Sequence, residues 1–443
     1  MKSSMNRRSF LKQSAAFGAV AVAGSAAKGG EKRLPLAMTT PRRGPNEELR
    51  IACIGIRSQG RNHIQAHAKG KNTKVVTLCD VDERLFGDRI KILAELNRPA
   101  PKTETDMRRV FEDKDVDAVS FATPNHWHAL GTIWACQAGK DVYVEKPCSH
   151  NIHEGRKIME AAAKYGRAVQ VGTQNRSQAM IHDAVQAMRD GVIGEVYMAR
   201  ALCYKRRDSI GYKDDEPCPP EVHYDLWLGP APVRPFNPNR FHYEWHWSWD
   251  YGNGDIGNQG VHQMDVAVWG FGKDRMLPVK ASSMGGRYTY KDQGETPNTQ
   301  VAMLQYDDGK MLVFEVRGRY TNNESSVGVG NLFYGSKGYM AIRGNEIVTH
   351  IEGKPGPAIK ERRQSSIFEN FHDVCRSRKM DDLYAPADIG HYSAVCCHLA
   401  NIAYRLGRTL DFDPKTETFK NDAGANNMLS RDYRKPYFIP ESV

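Results

Sequence analysis

The chain reads as an α/β protein: a parallel-sheet domain in its first half, then an α+β domain with a large, mainly antiparallel sheet. Three observations carry this expectation. Short apolar runs alternate with amphipathic helical stretches from about residue 49 to residue 172. After Gly191 the pattern changes to period-two segments separated by Gly and Asp-Gly turns. Length and content allow both halves, since 443 residues at 40% hydrophobic composition suffice for two or three cores.

The elements follow in order. Leu49-Arg50-Ile51-Ala52-Cys53-Ile54-Gly55 is a strand ending on glycine, and Gly60 opens an amphipathic stretch to residue 68. Strand, tight turn and helix in this order present backbone N–H groups to a pyrophosphate. A second strand over residues 74–79 ends at Asp80, twenty residues beyond Gly60. An acid at that distance can accept hydrogen bonds from an adenosine ribose and repel a 2′-phosphate, which favours NAD over NADP. The fingerprint departs from G-x-G-x-x-G at Arg57, whose guanidinium can reach a phosphate or stack on adenine. Further strands over residues 117–122, 141–144 and 168–172, with helices from after His128 to about residue 139 and over 152–165, extend a Rossmann-type parallel sheet. Ligands of such sheets bind at the carboxyl ends of the strands, where Thr123-Pro124-Asn125-His126-Trp127-His128 and Glu145-Lys146-Pro147 stand.

Residues 205–251 are aromatic and Pro-rich, with Trp227, Trp245, Trp247, Trp249, Tyr224, Tyr243, His242 and His246. Such rings suit the apolar faces of sugars and equally suit a packed irregular loop. The glycine-rich stretch from Gly252 to Asp265 then predicts a helix with Asn258, His262 and Asp265 on one polar face. Strands are expected over residues 195–204, 279–287, 299–306, 310–316, 327–334 and 338–342, and helices over 366–378 and 387–406.

Charge and cysteines exclude several classes. The net charge of +10 is spread without an Arg/Lys run, which argues against nucleic acid as a partner. Nine cysteines without a C-x-x-C pair make neither a disulfide framework nor a metal site. Arg7-Arg8 with Phe10 and Leu11, before an apolar run over residues 15–23, resembles a twin-arginine export signal. That run is shorter than the roughly 20 residues needed to span a bilayer. The expected organisation is a signal peptide over 1–27, an arm over 28–48, the dinucleotide domain over 49–175, a substrate and oligomerisation domain over 176–425 and a tail over 426–443. The expected location is periplasmic or extracytoplasmic, after export in the folded state by the twin-arginine machinery.

Together these residues resemble the Gfo/Idh/MocA oxidoreductase family, in an exported bacterial branch suggested by Asp255-Ile256-Gly257-Asn258-Gln259-Gly260. The resemblance implies that Lys146 of Glu145-Lys146-Pro147 sits beside nicotinamide and substrate hydroxyl, and that His262 serves as acid and base. The expected cofactor set is Gly55, Arg57, Gln59, Gly60, Asp80, Thr123, Asn125, His128, Glu145, Lys146 and Gln174. Asn258, Asp265, Arg176 and Trp247 are the expected substrate contacts, and no metal is expected. One departure is Asn258, where many members have an aspartate; Asp255 or Asp265 is a substitute. A periplasm holds no pool of free NAD, so the cofactor is expected to stay bound. The implied activity is NAD-dependent hydride transfer at a hydroxyl-bearing carbon of a carbohydrate, in a homo-oligomer. Its alternatives are a redox-neutral glycoside hydrolase, lyase or epimerase, and a non-catalytic sugar-binding protein.

Overall fold

The computed structural model describes residues 47–344, 346–359 and 366–443. The twin-arginine segment lies outside the described residues. Strand β1, Leu49–Ile54, is buried on both faces, as the central strand of a covered parallel sheet must be. Around it lie β2 (Thr73–Cys79), β3 (Lys102–Glu104), β4 (Ala118–Phe121), β5 (Asp141–Glu145) and β6 (Val169–Gly172), in the spatial order β3-β2-β1-β4-β5-β6. All neighbouring pairs are parallel. Strand order reverses between β1 and β4, so the crevice that receives a ligand opens beyond Ile54 and Phe121.

The first helix, Ser58–Lys69, begins two residues before the expected start, which puts Gly60 inside its first turn. The helix Ile152–Tyr165 matches its expected bounds, because Asn151 caps its start and Gly166 ends it in the left-handed region at φ 58°.

The second sheet has ten strands in a mixed, mainly antiparallel arrangement. Strand β7 (Val196–Cys203) starts it, and β8 (Lys280–Gly286), β9 (Thr299–Gln305) and β10 (Met311–Arg317) form one wing. On the other side β11 (Val329–Gly335) and β12 (Gly338–Arg343) continue the ladder. Strands β7 and β10 run parallel, the exception to the antiparallel rule. In β9 buried Gln300, Ala302 and Leu304 alternate with exposed Val301, Met303 and Gln305, so one face of the sheet carries the core. The helices Val261–Gly270 and Ala387–Leu406 cover that face, and the second also packs on Ile152–Tyr165.

The predicted fold class and its two sheets are thus observed. The expected single helical face at residues 258–265 is not. Ile256–Gly260 forms one π-helical turn before the α-helix Val261–Gly270, which breaks the helical spacing. All nine cysteines are free and eight are buried. Among the described residues no helix is long and apolar enough to cross a membrane.

Candidate active site

The glycine turn after β1 is fixed by sterics. Gly55 has φ +76°, and a Cβ there would stand 2.8 Å from the Ala122 carbonyl and the Thr123 nitrogen. A Cβ on Gly60 would meet the Gly55 carbonyl oxygen at 1.9 Å. Only glycines let the turn fold flat against the end of β4. The helix behind it has no side-chain cap, so its first N–H groups are left for an anion. Arg57 is exposed at the mouth, while Arg89 holds the Ile56 carbonyl at 2.6 Å. Asp80 accepts from the Ile56 and Asp82 N–H groups at 2.7 and 3.0 Å, and burial pushes its carboxyl up to about 6 against those bonds.

Two adjoining cavities share Arg57, Ala122, Thr123, His242 and Trp245. The first is lined by Gly55, Asp80, Asp82, Trp127, Trp227 and Phe241. The second, about 1110 Å³ with its open mouth, brings together Gln59, Asn125, Glu145, Lys146, Asn258 and His262. Uncapped N–H groups, a flat glycine turn and an acid at the end of β2 fit a dinucleotide's pyrophosphate and ribose. The buried Thr123 Oγ1, without a partner among the described residues, lies in a residue common to both cavities.

Glu145 ends β5 as the hub of the second cavity. Gln59 and Gln174 donate to its Oε1 at 3.0 and 2.8 Å, and His63 Nε2 lies 3.1 Å away. Burial opposes its charge, but the His63 bond and charge, with the charges of Lys146 and His262, hold the carboxyl down at about 2. Next to it, Lys146 Nζ donates to the backbone carbonyl of Asn258 at 3.0 Å. Burial lowers the lysine from its ordinary value, against the opposing charge of Glu145. For His262, burial and then the charge of Lys146 push the imidazole down to about 3. Burial is the larger cause, and the neighbouring ammonium adds to it. Its Nδ1 is buried without a partner among the described residues, and Nε2, equally unbonded, is open to the cleft.

The remaining expected residues divide. Gly60 sits beneath the turn, and His128 is 1% exposed, with its Nε2 2.8 Å from the Thr123 carbonyl oxygen and its Nδ1 2.7 Å from that of Pro147, of which the neutral ring donates to one. Asn258 lines the cleft, but its backbone rather than its amide meets Lys146. Asp265 is turned inward: Arg176 Nε donates to both its oxygens at 3.0 and 2.9 Å, and Ser393 adds a third bond. With Asp265 at 0% and Arg176 at 4% exposure, this pair belongs to the core and not to the cleft wall. Trp247 also leaves the wall; its indole donates to Glu244 and its ring lies under Arg207. Neither Asp255, clamped by Arg207 at 2.7 Å, nor Asp265 hydrogen-bonds His262.

Sequence reasoning left Tyr243, Trp245 and His246 open between sugar contacts and a packed loop, and passed over the Arg207–Asp255 pair beneath them; the structure puts all three rings on the cleft wall. The passage signalled only aromatic density. Most of its rings form a core, with Trp227 stacked on Tyr224 and tilted against Phe241 and Tyr251. That core roofs the first cavity. Its backbone pairs with the end of β2 through His223 N–H to Val81 and Glu83 N–H to Glu221. The segment 430–443 straps the roof down. Arg434 donates to the carbonyls of Gly229 and Asp225 at 2.8 Å each and pairs with the Asp225 carboxylate. Tyr437 sets its ring edge against Trp127 at 5.5 Å.

Two family models match the sequence: the NAD-binding Rossmann fold of the Gfo/Idh/MocA oxidoreductases over residues 49–173, and their C-terminal alpha/beta domain over 208–439. Among solved structures the chain is similar to the WlbA dehydrogenase from Bordetella pertussis in complex with NADH and UDP-GlcNAcA. That pair has 19% identity and a TM-score of 0.61, covering 83% of this chain and 99% of the other. It is also similar to the aldose-aldose oxidoreductase from Caulobacter crescentus, at 18% identity and TM-score 0.63, over 83% and 100% of the chains. These likenesses establish the fold. In sequence, a glycosyl hydrolase family 109 protein of Stenotrophomonas maltophilia (strain K279a) is 27% identical over 186 residues. The match covers 41% of this chain and spans only 40% of that relative's length.

Proposed function

The chain belongs to the Gfo/Idh/MocA oxidoreductase family and carries its NAD-binding domain, and from this premise we propose that it transfers hydride at a hydroxyl-bearing carbon of a sugar-like substrate. The observation that carries the reading is the convergence of Lys146 and His262 on one cleft beside the glycine turn. NAD, held by Gly55, Arg57, Gln59, Asp80, Thr123, Asn125, Glu145 and Gln174, supplies the hydride acceptor when bound.

The protein's own groups handle the proton. Lys146 Nζ, whose charge is disfavoured by burial, takes the hydroxyl proton, and the Asn258 carbonyl keeps it aimed. His262 stays neutral and hydrogen-bonds the substrate through Nε2. Glu145 fixes Gln59 and Gln174 in place and balances the lysine charge.

The likeness of residues 1–27 to a twin-arginine signal supports a periplasmic location reached by twin-arginine export, in which the cofactor is captive and NAD is preferred to NADP. The roof and its strap support that retention. A homo-oligomer acting on a carbohydrate completes the reading. Its glycosyl hydrolase relatives favour a second version, in which the hydride is returned and the net reaction is redox-neutral hydrolysis, elimination or epimerisation.

The test is Lys146→Ala, purified without added nucleotide and mixed with a panel of aldoses and methyl glycosides. Bound dinucleotide is expected at the wild-type level, with its single-turnover reduction at least about 100-fold slower. Reduction at the wild-type rate would overturn the assignment.

A further inference from the structure

Oxidation of one hydroxyl releases one proton, which Lys146 takes while His262 hydrogen-bonds the substrate. The cleft holds a third group of this kind. His246 lies on the 3₁₀ turn Glu244–Trp247 and lines the same cavity. Its Nδ1 is 2.6 Å from the backbone carbonyl oxygen of Tyr243. A carbonyl only accepts, so Nδ1 carries the proton of the neutral ring and Nε2 carries the lone pair. The ring is clamped by Trp245, stacked at 3.6 Å, and by Tyr243 at 4.6 Å. Among the described residues Nε2 has no hydrogen-bond partner, and it is not one of the buried orphan atoms, so it opens into the cleft. A ring held in one tautomer, with its lone pair toward substrate, is built to accept a proton.

We propose that His246 Nε2 is a second catalytic base, which removes the proton from the carbon next to the oxidised one. The inference rests on the hydride-transfer reading above and adds an activity to it, exchange of the α-hydrogen. Once the hydroxyl carbon has become a carbonyl, its neighbour's C–H bond is acidified. That bond breaks, an Nε2–H bond forms, and the C–H electron pair moves into an enolate whose oxygen is neutralised by the Lys146 ammonium. From the enolate, the proton returns to carbon, or the electron pair expels a substituent one carbon further on, which departs with its bonding pair and takes the proton from the His246 imidazolium. The bound NAD is the oxidant that the first step needs, and no other is required.

Burial, the Tyr243 carbonyl bond notwithstanding, and the charges of Lys146 and Arg207 push the His246 imidazole down to about 3. It therefore meets the substrate unprotonated, and the enolate charge forming beside it stabilises the imidazolium that results.

The experiment incubates the holoenzyme with aldoses and methyl glycosides in D2O and locates deuterium in the recovered sugar. Wild-type protein is expected to place deuterium next to the oxidised carbon. In His246→Asn the ratio of exchange to single-turnover reduction of the bound cofactor is expected to fall at least about 100-fold. An undiminished ratio in the variant would overturn the proposal. So would wild-type reduction of the cofactor without exchange, which leaves the hydride reading intact. No reduction with any sugar overturns both. Should the variant not fold, nitrogen-15 NMR of histidine-labelled wild-type protein reads the tautomer directly. A His246 signal with Nε2 unprotonated supports the proposal, and the opposite tautomer refutes it.

Discussion

Replacing Arg434 by Ala removes the hook that holds the aromatic roof over the first cavity. The guanidinium makes two charge-assisted bonds to carbonyls, at 2.8 Å each, and its side chain is 16% exposed. Bonds to charged groups contribute about 1.5–3 kcal/mol in protected settings. Partial exposure puts these nearer about 1–1.5 kcal/mol each. The ion pair with Asp225, whose side chain is 71% exposed, adds about 0–1 kcal/mol. Loss of the hook therefore destabilises the closed roof by about 2–4 kcal/mol. If opening of the roof gates release, each 1.4 kcal/mol is about tenfold. Dinucleotide should then leave about 30-fold faster at the lower bound and several hundred-fold faster at the upper. The assay is a chase: holoprotein is diluted, separated from free nucleotide at intervals and quenched, and the bound dinucleotide per chain is measured by mass spectrometry. A release rate equal to wild type would refute the gating argument, because no other contact in the strap bonds both the Asp225 and Gly229 carbonyls.

Three further outcomes follow from the geometry. Asp265→Ala leaves Arg176 charged in the core, with Asp274 at 3.3 Å as a remaining partner, and should cost about 3–5 kcal/mol in urea unfolding; a loss under about 1 kcal/mol would return Asp265 to the list of substrate contacts. Gly55→Ala combines a left-handed backbone, costing about 1–2 kcal/mol, with a Cβ at 2.8 Å from the end of β4. Dinucleotide co-purifying with that variant should fall at least about tenfold, and full retention would show that the turn does not meet the cofactor. Glu145→Gln should lower the melting temperature at pH 7, and the wild-type advantage should shrink toward pH 3. The sign follows from the carboxyl's folded value of about 2 against an ordinary 4.5: its stabilisation is complete above 4.5 and is lost as pH falls through about 2. A pH-independent difference would mean that packing, not charge, is responsible.

Local signals reached the parallel sheet almost residue by residue. Leu49–Ile54 is apolar except for Arg50 because both its faces are covered, and Gly55 and Gly60 are glycines because backbone stands where a Cβ would be. Lys146 and His262, whose roles the family resemblance implies, come to line one cleft, since each lies where a strand or helix end meets the crevice. The errors have a common cause. Arg176 and Asp265 look like polar site residues in sequence, but an ion pair inside a core and one in a cleft have the same letters. The π-helical turn at Ile256–Gly260 shifted the face of the following helix, and nothing in its composition separates it from an α-turn. His246 was hidden among tryptophans. Its role depends on the Tyr243 carbonyl, three residues away in a turn that sequence marks only as aromatic.

The central claim is hydride transfer onto captive NAD at a hydroxyl-bearing carbon. The most direct measurement mixes protein purified without added nucleotide with a panel of aldoses and methyl glycosides deuterated at every carbon. The dinucleotide released by acid quench is then weighed by mass spectrometry. The account predicts NAD bound to the wild-type chain, one deuterium gained on its nicotinamide, and that gain at least about 100-fold slower in Lys146→Ala. Protein that carries no dinucleotide, or carries it unlabelled across the whole panel, would contradict the account.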